Sequence, residues 1–78
     1  MIHISAIHKL LHEYEGTDRQ FDIEYVSKSS GRVVAGTIVC TSSNFERRTM
    51  NVKFVQSGEI RTLRTILLIR FNGIPVLI

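Results

Sequence analysis

The side chains best suited to chemistry in the first part of this 78-residue chain are two histidines. His8 and His12 are four residues apart, the spacing of a metal-binding pair on one helix face. Zinc needs at least three protein ligands, and neither Glu13, one step round the helix, nor the distant Cys40 completes such a set. We therefore expect a solvated histidine face, with no metal and no cofactor.

The other groups that can do chemistry are two acids and the single cysteine. Asp22 and Glu24 alternate with apolar residues, so they should share the exposed face of a strand, where they serve solubility. Cys40 lies in an apolar stretch and has no partner for an internal disulfide, so we predict a buried, unreactive thiol. No nucleophile, histidine and acid occur at usable spacing, and we expect a protein that is not an enzyme.

Positive charge is the strongest chemical signal in the rest of the chain. Residues 1–24 carry two basic and five acidic residues, net −3, whereas residues 25–78 carry eight basic and two acidic residues, net +6. This imbalance favours a basic face for phosphate, although the halves can also neutralise each other or form a solvated mixed surface. The candidate phosphate-contacting residues are Arg47, Arg48, Lys53, Arg61, Arg64 and Arg70.

Phe45 adds an aromatic ring to this signal. It lies in the segment 42–48, which we expect to be a loop, close to Arg47 and Arg48. An aromatic ring beside cations can stack on a base while the cations hold a phosphate. The alternative is a ring that anchors the loop on the core.

The elements that must position these residues begin with a helix. Apolar residues at i, i+3, i+4 and i+7 predict a helix over 5–15, with Ser5 as its cap and Gly16 at its end. The apolar residues of this stripe are Ile7, Leu10, Leu11 and Tyr14.

Alternating apolar residues and turn signals predict five strands after the helix. They cover residues 21–25, 32–41, 49–56, 59–70 and 74–78. Ser57-Gly58 and Asn72-Gly73 predict hairpins. Pro75 predicts that the last strand is at an edge, or is open on the side where the proline lacks a donor. One helix and five strands in so short a chain indicate a single domain, residues 1–78, with a small, strongly bent antiparallel barrel over residues 20–78.

Two strands of this barrel should be irregular. Residues 32–41 are apolar on both alternating faces, which predicts burial on both sides or a strong bend, with a bulge or a sharp curve at Gly36. Arg61 and Arg64 have opposite parity and would point to opposite faces of a flat strand, which implies a bend near Thr62-Leu63. With that bend, we expect both arginines to contribute with Lys53 to one positive surface.

Four segments resemble the motifs of the Sm-like family. They are Lys9–Gly16, Gly31–Ile38, Met50–Val52 and Leu68–Ile74. The resemblance implies an N-terminal helix, a five-stranded barrel of the Sm-like or SH3-like kind, and RNA binding. It also implies that Asn51 contacts a base and that Arg70 closes the base pocket.

Three positions depart from the usual Sm-like pattern. Arg47 stands where the family usually has an aspartate, Thr49 where it has a base-stacking residue, and Phe71 where it has a glycine. A small barrel of independent origin would share the same order of elements.

Four other segments are similar to short uncharacterised proteins of small bacteriophages of gut bacteria. They are Phe21–Val26, Arg48–Lys53, Glu59–Arg61 and Phe71–Gly73. This resemblance implies a phage setting, with a role in the particle or in its assembly.

The sequence therefore favours a non-enzymatic barrel that binds single-stranded RNA or DNA through a basic face. The alternative is a phage-encoded structural or interaction module that self-associates and meets an acidic protein partner. A core this small favours a homo-oligomer in either case. The apolar run Ile66–Ile69 is too short for a membrane span, so we expect a cytoplasmic protein, in the host cytoplasm or in the virion.

Overall fold

The computed structural model describes residues 1–78 and consists mainly of β-sheet, with one α-helix near the N-terminus. No helix is long and apolar enough to span a membrane. The elements in chain order are β1 (Ile2–His3), α1 (Ile4–Tyr14), β2 (Gln20–Val26), β3 (Val33–Asn44), β4 (Thr49–Phe54), β5 (Ile60–Arg64), a 3-10 helix (Thr65–Leu67), β6 (Leu68–Phe71) and β7 (Ile74–Leu77).

The predicted helix over residues 5–15 is confirmed to within one residue at each end, since α1 covers Ile4–Tyr14. Its cap is His3 rather than Ser5, because the Ser5 N–H donates to His3 Nδ1 at 3.1 Å. Gly16 follows the helix with a positive φ of 73°, a conformation that glycine adopts without a steric cost. The helix is therefore ended by the glycine that the sequence indicates.

The sheet has seven strands in the order β1-β7-β6-β2-β3-β4-β5. All neighbours are antiparallel except β1 and β7, which are parallel, so the sheet is mixed. It is open at β1 and β5, and the predicted closed five-stranded barrel is not confirmed. The two additional strands arise because β1 precedes the helix and because the 3-10 helix divides residues 59–70 into β5 and β6.

Both predicted hairpins are confirmed. Strands β4 and β5 pair across Ser57-Gly58, and β6 pairs with β7 across Asn72-Gly73. Asn72 and Gly73 have positive φ values of 51° and 77°, which a two-residue type I′ turn requires. Asn72 also exchanges hydrogen bonds with the backbone of Asp22, at 2.7 and 2.9 Å, so this turn is fixed against β2.

The predicted bulge at Gly36 is wrong. Gly36 lies opposite Ile23 in continuous register, and the irregularity of β3 lies between Cys40 and Ser42. The glycine is required instead by the Phe54 ring, because a Cβ at position 36 would lie 2.9 Å from Phe54 Cε1. Gly36 thus provides the space that an aromatic ring fills on the inner side of the sheet.

Three further expectations about the strands are corrected. The outer face of β3 is not buried, since Val33 is exposed. The bend after β5 comes at the 3-10 helix, Thr65–Leu67, and not at Thr62-Leu63. Of the two alternatives for Pro75, the edge strand is wrong, because β7 lies between β6 and β1. The other agrees with the register, since β1 pairs only with Val76 and Leu77 and leaves β7 open beside the proline.

The core lies between α1 and the inner face of the sheet. Burial alternates along β2 and β4, so every second residue packs inward. The buried cluster consists of Ile7, Leu11, Phe21, Ile23, Tyr25, Ile38, Cys40, Met50, Val52, Leu63, Leu68 and Phe71. The polar residues of the candidate interface lie outside this cluster, on the β3–β4 loop and on the outer face of the sheet.

Candidate nucleic-acid interface

The β3–β4 loop presents an aromatic ring and two arginines at the surface. Phe45 is 64% exposed, and Arg47 and Arg48 are exposed next to it. The turn is tight: Arg48 N–H donates to the Phe45 carbonyl at 3.2 Å, and Arg47 N–H donates to Asn44 Oδ1 at 3.1 Å. Arg48 has a positive φ of 54°. The loop is therefore a compact structure that presents its ring and both cations in a defined arrangement.

A hydrogen-bond relay holds this loop against α1 and the 3-10 helix. Thr65 donates both its backbone N–H and its hydroxyl to the Arg48 carbonyl, each at 3.0 Å. His8 Nε2 lies 2.8 Å from Thr65 Oγ1. The hydroxyl has only one proton, which goes to Arg48, so His8 must donate its Nε2 proton to Thr65. We refer to His8, Thr65 and the Arg48 carbonyl as the His8 relay.

The His8 ring also positions Phe45. The two rings meet edge to face, with centroids 5.1 Å apart and planes at 74°. His8 is only 5% exposed, and its Nδ1 is buried without a hydrogen-bond partner. Burial, and secondarily the positive charge of Arg48, lowers the pKa of His8 below 6.5. The histidine is therefore neutral at neutral pH and serves as a packing and hydrogen-bonding group.

The predicted solvated histidine face is wrong for His8 and right for His12. His12 is exposed, and its Nδ1 lies 3.2 Å from Glu15 Oε1. His8 is buried because it continues the apolar stripe of the helix, with buried residues at i, i+3, i+4 and i+7: Ile4, Ile7, His8 and Leu11. The same helical periodicity is visible in the sequence and is the pattern from which burial of His8 could have been predicted. No signal indicated Thr65, whose role depends on contacts distant in the chain.

The outer face of β4 and β5 adds a second group of polar residues. Lys53 lies opposite Ile60, and Arg64 lies opposite Thr49, with Asn51 between them along β4. The Asn51 side chain is already bonded on both sides: its Nδ2 donates to Ser42 Oγ at 2.7 Å, and its Oδ1 accepts from Thr62 Oγ1 at 2.5 Å. In this arrangement Asn51 joins three strands, and a base that binds it must replace one of these bonds.

Four of the predicted cations have no acidic partner within 4.0 Å. The ion pairs of the chain are His12–Glu15, Arg61–Glu59 and Arg70–Glu24. The unpaired cations are Arg47, Arg48, Lys53 and Arg64. These four side chains retain their full positive charge for a partner.

The structure places the other two predicted cations elsewhere. Arg61 has the parity of the buried Val52 on β4, and its Nε lies 2.7 Å from Glu59 Oε1. Arg70 lies on β6 opposite Glu24, with Nε to Oε2 at 3.3 Å, and three strand positions from β4. Because β5 pairs with β4 in continuous register from Ile60 to Arg64, without the predicted bend, Arg61 and Arg64 lie on opposite faces and do not form one surface with Lys53 as expected. Arg70 does not approach Asn51.

The remaining chemical groups have structural contacts. Cys40 is buried, and desolvation, with a smaller effect of Glu15, raises its pKa to about 11. Asp22 faces outward and accepts a hydrogen bond from the Thr37 hydroxyl at 2.7 Å, and Glu24 pairs with Arg70. No group of three or more metal-binding side chains occurs in the chain.

Comparison of the chain with protein-family models, curated proteins and solved structures found no significant match.

Proposed function

We propose that this protein is a non-enzymatic module that binds single-stranded RNA or DNA. The binding surface, here called the basic surface, consists of Phe45, Arg47, Arg48, Lys53 and Arg64. The observation that carries the proposal is an exposed aromatic ring, fixed by the His8 relay, beside cations that have no acidic partner. Stacking on aromatic rings combined with phosphate contacts from basic side chains is how proteins bind single strands without strict sequence preference.

The proposal includes a small, Sm-like barrel built from β2 to β6. These five strands are consecutive antiparallel neighbours in the sheet, and β6 follows β5 after only a 3-10 helix and pairs with β2. A connection this short keeps the end of β5 close to the start of β6, as closure of a barrel requires. In this barrel the arginine beside Asn51 is Arg64, because Arg70 is paired with Glu24 on another part of the sheet.

A matched pair of double variants tests the proposal. Lys53→Gln with Arg64→Gln removes two unpaired cations from the basic surface, whereas Arg61→Gln with Arg70→Gln removes two cations that are paired with acids. Fluorescence anisotropy with labelled single strands of about ten nucleotides, a length within the usual site sizes of such proteins, measures binding. We expect the first variant to bind several-fold more weakly and the second to bind as the parent does. Equal loss in both variants contradicts the assignment of the surface.

The second candidate function is a self-associating structural module of a phage particle, or one that meets an acidic protein. One observation favours it: β5 has a neighbour on only one side, and its first residue, Ile60, is 67% exposed. An open strand edge is a template for pairing with another chain. Size-exclusion chromatography with light scattering distinguishes the two, because a discrete oligomer that binds no oligonucleotide supports this second function alone.

A further inference from the structure

A cleft separates α1 from the β3–β4 loop. It is open to solvent and has a volume of about 630 Å³, within the range of small-molecule sites. The helix wall carries residues at i, i+3, i+4 and i+7, and the end of β3 and the loop form the other wall. The lining includes His8, Lys9 and His12 on the helix side and Asn44, Phe45 and Glu46 on the other side.

We infer that this cleft binds one nucleobase of the bound strand, stacked on Phe45, with an adjoining phosphate at Lys9. The inference rests on the proposed function and extends the binding surface to the helix, which the basic surface does not include. A span of seven helical residues is roughly 10 Å, enough for one nucleotide.

The Phe45 ring is held in place before any base stacks on it. Most of its surface is exposed, yet its ring lies against the buried His8 and lines the cleft. An exposed ring that is already fixed loses little conformational freedom when a base stacks on it. Truncation of a stacking aromatic typically weakens binding by roughly tenfold or more.

The charged groups of the cleft favour a phosphate on the helix wall. Lys9 and His12 lie on the helix wall, both exposed, and Lys9 has no acidic partner within 4.0 Å. A phosphate on this wall meets the ammonium group of Lys9, whereas the His12 ring lies 3.2 Å from the Glu15 carboxylate. The phosphate therefore belongs on the helix side of the cleft.

Glu46 is the only acidic residue that lines the cleft, and its negative charge would repel a phosphate on the loop side. A carboxylate accepts hydrogen bonds from the exocyclic amino group of a base, as it does from cytosine. The Asn44 amide nitrogen makes no hydrogen bond within the protein and can donate to a base carbonyl oxygen, which cytosine and uracil both have. The choice between these two bases therefore depends on Glu46. The cleft should therefore favour a base that has an amino group, such as cytosine, over uracil, which has none.

The experiment uses the full chain and labelled single strands of about ten cytidines or ten uridines, a length within the usual site sizes. The variants are Phe45→Leu, Lys9→Gln and Glu46→Gln. The control is Lys28→Gln, which removes an exposed lysine from the turn after β2, outside the cleft. Thermal melts of each variant establish that it is folded. Lys9 and Glu46 are exposed, so these two variants keep the test valid if Phe45→Leu destabilises the loop.

We expect Phe45→Leu to weaken binding of both strands by roughly tenfold. Lys9→Gln should weaken both by a few-fold and reduce the salt dependence, with Lys28→Gln unchanged. Glu46→Gln should reduce the preference for cytidine, because the neutral amide oxygen accepts a hydrogen bond from the base amino group more weakly than the carboxylate does. If the parent binds and the basic-surface double variant weakens binding, but Lys9→Gln and Glu46→Gln match Lys28→Gln, the cleft inference is overturned and the proposed function stands. No binding by the parent overturns both.

Discussion

Replacing Thr65 with valine tests whether the His8 relay stabilises the fold. Valine has nearly the shape of threonine but cannot accept the Nε2 proton of His8, which is 2.8 Å from the hydroxyl. The His8 Nδ1 is already unpaired, so both ring nitrogens would then be buried without partners. The Arg48 carbonyl keeps the bond from the Thr65 backbone N–H. Leaving one buried donor unpaired costs about 1–3 kcal/mol of unfolding free energy.

This cost has two matched controls. Thr65→Ser keeps the hydroxyl and removes one methyl group, for which we expect a loss of about 1 kcal/mol through reduced apolar burial. Combining Thr65→Val with His8→Leu removes both partners, and replacing both ends of a buried hydrogen bond with apolar groups is nearly neutral. The double variant should therefore lose less than the sum of the two single variants, by about 0.5–3 kcal/mol.

Urea and thermal unfolding of the parent and four variants measure these differences. In a domain of this size, 1 kcal/mol shifts Tm by about 4–8 °C, so the effect of Thr65→Val is well above experimental error. The relay would be refuted if Thr65→Val were no less stable than Thr65→Ser. It would also be refuted if the effects of Thr65→Val and His8→Leu were strictly additive.

The remaining predictions concern pH, packing and thiol chemistry. Because the folded protein lowers the pKa of His8, the unfolded chain binds more protons, and the free energy of unfolding should fall as pH drops below 6.5. Urea melts above and below that pH should show this loss in the parent and a smaller loss in His8→Leu; equal losses argue against it. Gly36→Val should cost about 1–3 kcal/mol, more than any single arginine substitution, because its side chain meets the Phe54 ring. A melt within about 2 °C of the parent contradicts this, and Phe54→Leu should recover part of the loss. Cys40, with a pKa of about 11 and almost no exposure, should react with iodoacetamide at mildly alkaline pH only after unfolding, and rapid labelling of the folded protein contradicts the prediction.

Local signals in the sequence predicted much of the fold. The Asn72-Gly73 turn, the Ser57-Gly58 hairpin and the helix depend on residues close together in the chain, and all three are confirmed. Local signals could not predict that residues 59–70 are divided into two strands by a 3-10 helix. Thr65 ends β5 because its backbone and hydroxyl bond to Arg48 on another loop, which no periodicity reveals.

The candidate interface was predictable in residue type but not in arrangement. The sequence indicated Phe45 and its neighbouring arginines as a group but left open whether the ring is exposed or anchors the loop on the core. The structure places them together on one loop, with the ring exposed. The pairing of Arg70 with Glu24 depends on the register of β6 against β2. The bonds that engage Asn51 depend on the bulge of β3. Both are non-local, so neither was visible in the sequence.

The salt dependence of single-strand binding tests the proposed function most directly. Anisotropy titrations of the parent and of the Lys53→Gln, Arg64→Gln double variant at about 50 and 200 mM salt give the slope of log affinity against log salt. We expect the parent to bind with a slope of about −0.7 for each phosphate contact, and the double variant to have a slope shallower by about 1.4. No binding by the parent at the lower salt, or identical slopes for the two proteins, would contradict the proposal that the basic surface binds nucleic acid.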